Sequence, residues 1–320
     1  MPPPLPRKSK TLSANLKLTL RLQSVNETHA STNKATAIGA IAIILWATLP
    51  LFATLTGALP PFQIVAMTFS IGAVVGVGFS LFHRKNPIAA LHQRPAAWLI
   101  GVGGLFGWHF CYFQAVRLAP PIEASMINYL WPLLMVLMST HLPNDRLSKE
   151  KLRWTHAVGA LSGLTGAALL ITHGGQSLTL RTEHLPGYLA AAACAMIWSS
   201  YSVLSRRIND VPTEAVTGFC FVTALLATLC HALTETTNAP HGVEWPAIAM
   251  MGLGPIGAAF FAWDYGVKRG DIRLLGVFSY GTPLLATALM FLFGRAEETG
   301  NEVWTACALI IGGALLANSK

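Results

Sequence analysis

The side chains able to do chemistry are few, and they sit in apolar surroundings. Trp108, His109 and Tyr112 fall within "GWHFCYF" at spacings of three and four, which puts them on one face of a helix. Asn128 and Trp131 are three apart in "NYLWPLL", with Tyr129 and Pro132 beside them. Trp46, Trp198, Trp263, Ser279 and Tyr280 complete the set, and Pro283 follows Tyr280 as Pro132 follows Tyr129. Flat rings with N–H and O–H tips, one amide and one imidazole suit reversible binding of an aromatic or aliphatic solute with a polar end. Packing or lipid contact is the competing role for the deep tryptophans, and a neutral packing histidine is the competing role for His109. Intramembrane hydrolysis would need a Ser/His or acid pair on facing elements. The chain has no GxSxG, and we expect no enzyme, no cofactor and no metal site. The five cysteines (Cys111, Cys194, Cys220, Cys230, Cys307) lie in apolar runs without a CxxC and read as packing residues.

The elements that must hold these residues follow from composition. Of 320 residues, 53% are hydrophobic and 11% charged; a soluble domain carries about 25% charge. The apolar residues gather in ten blocks of bilayer-crossing length, at roughly 35–56, 61–82, 96–117, 122–141, 154–172, 187–207, 213–232, 246–267, 273–293 and 302–317. The blocks are apolar nearly all round, which excludes a soluble helical protein with polar faces. The net charge of +8 does not point to nucleic acid. With the N-terminus inside, the inner segments hold nineteen Lys and Arg, and the outer ones only Arg117, Arg181 and Arg295. That is the positive-inside bias of a membrane protein with both termini cytosolic. Residues 1–34 read as a polar cytosolic tail without a signal-peptide core, although "LKLTLRL" within it alternates and could rest on a membrane surface.

The chain repeats itself. "GVGGLFGWHFCYFQAVR" (101–117) aligns with "GLGPIGAAFFAWDYGVK" (252–268) at an offset of 151, as do Tyr129 with Tyr280 and Pro132 with Pro283. At 152, Trp46 meets Trp198, Pro60 meets Pro212 and Phe69 meets Phe221; at 150, Trp154 meets Trp304. Trp263 is then the counterpart of Tyr112, and Ser279 of Asn128. Five spans per unit is an odd number, so the second unit enters from the opposite side, and matched loops exchange their charge accordingly. The expected fold is an all-α polytopic membrane protein: ten transmembrane helices in two inverted five-helix repeats, 35–172 and 185–317, around a central cavity. Inverted repeats are a common plan of secondary transporters, with the substrate site near the midplane.

Ten spans, a Trp in the first span of each half, and the "P-[IL]-x-A…L-x-P-L-L" pattern of span 4 resemble the drug/metabolite transporter superfamily, EamA-type members above all. The resemblance covers about 35–317. The span 3–4 segment "GWHFCYFQAVRLAPPIEASMINYLWPLL" is most similar to aromatic amino acid exporters of bacterial inner membranes. This implies export of aromatic and other neutral amino acids from the cytosol. Export of other small metabolites or drugs, and a non-transporting sensor or scaffold, remain as alternatives. Span 1 lacks the glutamate that small multidrug exporters of this superfamily carry, and no cavity Lys or Arg awaits a phosphate. The expected partners are therefore a zwitterionic small molecule and the lipid bilayer, with no nucleic acid, in a monomer or homodimer.

Spans 1, 3, 4, 6, 8 and 9 are expected to line the cavity, with Pro132 and Pro283 as hinges of an alternating-access cycle. The cycle is facilitative or weakly coupled through His109, the one ionisable residue well inside a span. Asp264 is expected to pair with Lys268 at i, i+4. Trp98, Trp154, Trp245 and Trp304 read as an interfacial belt, and Gly72/Gly76, Gly103/Gly107 and Gly159/Gly163 as close helix contacts.

Overall fold

The computed structural model describes residues 30–141, 153–172, 181–294 and 302–318. Among these the chain is all helix, with no strand. The ten helices are α1 (Ala30–Ala53), α2 (Pro61–Phe82), α3 (Pro95–Leu118), α4 (Pro121–Met138), α5 (Trp154–Ile171), α6 (Thr182–Arg207), α7 (Thr213–Thr234), α8 (Glu244–Arg269), α9 (Ile272–Leu292) and α10 (Glu302–Asn318). The first nine are long and apolar enough to cross a membrane, and α10 is a shorter apolar helix. At 17 residues it spans about 25 Å, a little under the bilayer core. Residues 1–29 of the expected tail, its "LKLTLRL" stretch, most of the basic 142–153 segment and Arg295 lie outside the described residues. The chain is already helical at Ala30, ahead of the expected boundary at 35, so the polar residues 31–34 continue the helix beyond the apolar run.

Helix starts follow from proline placement. Pro61, Pro95 and Pro121 each occupy the first helical position, where the missing N–H has no intrahelical partner to lose. α9 is capped instead by Asp271, whose carboxylate accepts the N–H groups of Arg273 (2.9 Å) and Leu274 (3.1 Å).

The contacts between helices obey the repeat. α2 packs on α7 and α5 on α10, and the α3–α6 pair corresponds to α8–α1. Residue chemistry follows the same exchange. Gly39 and Gly266 bring α1 and α8 backbones together, so that a Cβ on Gly39 would lie 3.0 Å from the Gly266 Cα. Their counterparts Ala191 and Ala115 form a fully buried contact between α6 and α3. Small residues permit this approach, on which association within a bilayer depends. Gly159 likewise opposes Gly313, and Gly163 makes room for the Tyr280 ring. Gly103 has open space where a Cβ would be, and Gly107 only ordinary contact with Ile197. The expected Gly103/Gly107 seam is therefore replaced by Gly101 and Gly104, which receive Phe219 and Tyr201.

Four helices are broken, each beside a proline. α4 stops at Asn128 and restarts at Trp131; α9 stops at Phe278 and restarts at Gly281. Both breaks fall one turn ahead of the prolines singled out from sequence. α1 breaks at Thr48 before Pro50, and α8 widens into a π turn at Gly254–Ala258 around Pro255.

One end of the bundle is tied by charge. Lys85 pairs with Glu214 at 2.5 Å, and Arg94 with Asp210 at 2.8 Å. Lys268 and Asp264 form the expected pair at 2.8 Å, fully buried, and Lys268 also donates to the Val211 carbonyl. Arg206 reaches the carbonyls of Val267 and Gly270 at the end of α8. At the opposite end the Glu235 carboxylate accepts the N–H groups of Phe62 and Gln63 in the first turn of α2, while His231 holds it from behind at 2.8 Å. Tyr188 donates to Glu123 there.

Candidate functional site

α1, α3, α4, α6 and α8 converge on a knot of aromatic rings. Trp46 lies 5.0 Å from Trp263 and 5.5 Å from Trp198, between ring centroids. Trp131 meets Trp198 at 6.3 Å and Trp263 at 5.8 Å, both edge to face. Trp108 stands edge-on to Trp198 at 6.5 Å and stacks nearly parallel on Tyr112 at 4.9 Å. The sequence placed Trp108 and Tyr112 on one helix face, and the i, i+4 stack follows from that.

Most polar tips in the knot are spent internally. The Trp46 indole N–H donates to the Pro255 carbonyl (3.0 Å), in the π turn of α8. Trp263 donates to Ser202 Oγ (3.1 Å), which donates in turn to the Trp198 carbonyl. Trp108 donates to Asn128 Oδ1 (3.2 Å). The indole N–H groups of Trp131 and Trp198 have no acceptor among the described residues.

His109 is buried against Phe69, edge to face at 5.0 Å. Its Nδ1 lies 2.7 Å from the Leu105 carbonyl. A carbonyl can only accept, so Nδ1 carries a proton and Nε2 is the nitrogen left for other partners. His109 is not alone as a buried ionisable group: Asp264, Lys268, Arg273 and His231 are buried within helices too. These four lie toward helix ends and are bonded there.

The expected site residues divide into two groups. Trp46, Trp108, His109, Tyr112, Asn128, Trp131, Trp198 and Trp263 are brought together. Tyr129 and Tyr280 join a second cluster with α5 and α10. The fully buried Tyr280 hydroxyl accepts the Leu133 N–H at 3.1 Å, bridging α9 to α4 beside Pro132. Ser279 is fully buried and donates to the Leu275 carbonyl at 2.7 Å. In this conformation Trp263, Ser279 and Tyr280 present no surface. Trp154, Trp245 and Trp304 are exposed on helix ends, but Trp98 turns inward onto Phe219 at 5.4 Å.

Sequence reasoning missed Phe69 and Phe260, which stack at 5.5 Å and floor the tryptophan knot, and Ser202. Phe69 was legible as one member of a repeat match, and Pro255 as a mid-span proline. Nothing marked Ser202 among the serines of "WSSYS".

The chain is similar to known proteins over nearly its whole length. The EamA-like transporter family model matches residues 33–172 and again 185–319. A protein of Ancylobacter novellus named aromatic amino acid exporter YddG is 51% identical over 90% of this chain and 98% of its own. Proteins of the same name from Salmonella typhimurium and Escherichia coli are 26% and 25% identical, over 89% and 88% of the chain and 97% and 96% of their own lengths. A crystal structure of a protein 50% identical superposes with a TM-score of 0.83, covering 89% of this chain and 97% of that one.

Proposed function

This chain belongs to the EamA-like transporter family, and we propose that it exports aromatic and other neutral amino acids from the cytosol across a bacterial inner membrane. The carrying observation is the knot of five tryptophans, built from both repeats, three of them on broken helices, with no Lys, Arg, Asp or Glu among the described ring contacts. Such a site offers ring faces to an apolar side chain and dipoles to a zwitterion. The names carried by the relatives point the same way. The end tied by Lys85, Arg94, Arg206 and Lys268 faces the cytosol, with both termini there.

The export cycle is one of alternating access. Breaks at matching places in α4 and α9 give each repeat a short segment that can tilt without melting a whole helix, so Pro132 and Pro283 are its hinges. Among the described residues no carboxylate makes a ring contact in the knot, and transport is facilitative or weakly coupled through His109. Proteoliposomes loaded with labelled phenylalanine test the reading. Release above that of empty vesicles, accelerated by phenylalanine outside, is expected. Release no faster than leakage, with no exchange, sinks it.

A further inference from the structure

Asn128 is the one amide in the tryptophan knot, and its orientation is fixed. Trp108 Nε1 carries a hydrogen and can only donate, so the Asn128 oxygen must face it, as it does at 3.2 Å. Trp108 cannot turn away easily, because its ring is stacked on Tyr112. The amide nitrogen, with two N–H donors, therefore points elsewhere. It has no acceptor among the described residues, although the residue is more than nine-tenths buried. The nitrogen is not sealed in the interior, so it is a donor open to a ligand. The unpartnered indole N–H of Trp131, one turn along α4, adds a second donor near the same break.

The backbone at Asn128 supplies the opposite chemistry. Pro132 has no N–H, so the Asn128 carbonyl has no i+4 partner. The Tyr129 carbonyl loses its partner as well, because the Leu133 N–H goes to the Tyr280 hydroxyl. No other group among the described residues bonds the Tyr129 carbonyl. In the second repeat the side chain equivalent to Asn128 is closed. Ser279 spends its hydroxyl on Leu275, and its carbonyl accepts the Thr282 N–H at 3.1 Å.

We propose that Asn128 is the residue that selects α-amino acids. Its side-chain N–H groups take the substrate carboxylate, and the freed carbonyl of Tyr129 takes the substrate ammonium. The inference rests on the amino acid export proposed above and assigns the group that reads the zwitterion. Specificity then comes from a donor oriented by Trp108, and the rings accept whatever side chain follows.

The test is Asn128→Asp, nearly isosteric, in the full-length protein in proteoliposomes. The aspartate can still accept the Trp108 bond, but a carboxylate replaces the two donors. Phenylalanine release should fall roughly tenfold to a hundredfold, the loss of a hydrogen bond to a charged group. Phenethylamine, which has the ammonium and ring but no carboxylate, should become a substrate. Phenylalanine release within twofold of wild type, or its loss without a gain of phenethylamine, overturns the assignment. Should the variant misfold, competition on the wild type decides. Phenethylamine and 3-phenylpropionate should each inhibit phenylalanine release at least roughly tenfold more weakly than phenylalanine itself, and equal inhibition by phenethylamine overturns it. A wild type that moves no phenylalanine at all sinks the export reading instead, so the two failures are distinct.

Discussion

Tyr280→Phe should destabilise the protein through a single backbone group. The Leu133 N–H would bond the Tyr129 carbonyl in an unbroken α4, but the break ahead of Pro132 leaves the Tyr280 hydroxyl as its acceptor, at 3.1 Å. Tyr280 is fully buried, so no water replaces the lost oxygen, and the ring itself stays packed on Gly163. An orphaned N–H in such a setting costs about 1–3 kcal/mol. The cost should depend on the proline. Pro132→Ala restores an N–H at 132, lets the Asn128 carbonyl re-pair, and allows the turn to close so that the Leu133 N–H finds Tyr129. In that background Tyr280→Phe should be nearly neutral, giving a coupling of about 1 kcal/mol or more between two residues of opposite repeats. SDS-driven unfolding of the purified protein in mixed micelles, followed by tryptophan fluorescence, measures all four corners of the cycle. Costs that add to within about 0.5 kcal/mol, or a Tyr280→Phe protein as stable as wild type, would refute the bridge.

Gly266→Leu should drive α1 and α8 apart at their closest approach and cost at least about 1–3 kcal/mol, whereas Gly103→Ala, with nothing within 4 Å of its added carbon, should unfold like wild type in the same titration. Asp264→Asn leaves the Lys268 charge buried beside neutral carbonyls only and should cost about 3–5 kcal/mol; the double variant Asp264→Leu with Lys268→Met should recover most of it, read as folded yield after solubilisation. Glu235→Ala removes the carboxylate that satisfies two N–H groups at the start of α2 and should cost about 1–2 kcal/mol, read by faster hydrogen exchange at Phe62 and Gln63.

Much of the architecture was legible because a bilayer makes composition and position nearly equivalent. Apolar blocks of the right length become spans, and a proline in mid-span must break its helix. The i, i+4 spacing of Trp108 and Tyr112 and of Asp264 and Lys268 carried directly into a stack and an ion pair. What stayed hidden depends on rotation about each helix axis, which an all-round apolar helix does not encode. Gly101 and Gly104, not Gly103 and Gly107, make the tight approaches to α7 and α6 for that reason. Trp98 sits at a helix end like Trp154 and Trp304, yet its rotation places it on Phe219 and not on lipid. Ser279 matches Asn128 in register, but its short side chain reaches only its own helix.

That last difference bears on why a twofold scaffold serves a substrate without twofold symmetry. An amino acid has one carboxylate, one ammonium and one side chain, so two identical half-sites would compete to bind it in two opposed poses. The repeats share the breaks of α4 and α9, the prolines beside them and the close helix contacts, all of which belong to the scaffold. They differ at the polar positions. Trp108 orients Asn128 in the first repeat; its counterpart in the second is Ala259, fully buried, with no group to orient anything. The Ser279 hydroxyl is satisfied within its own helix, whereas the Asn128 amide nitrogen has no partner among the described residues. Symmetry is thus kept where the chain has to move and given up where the solute has to be read.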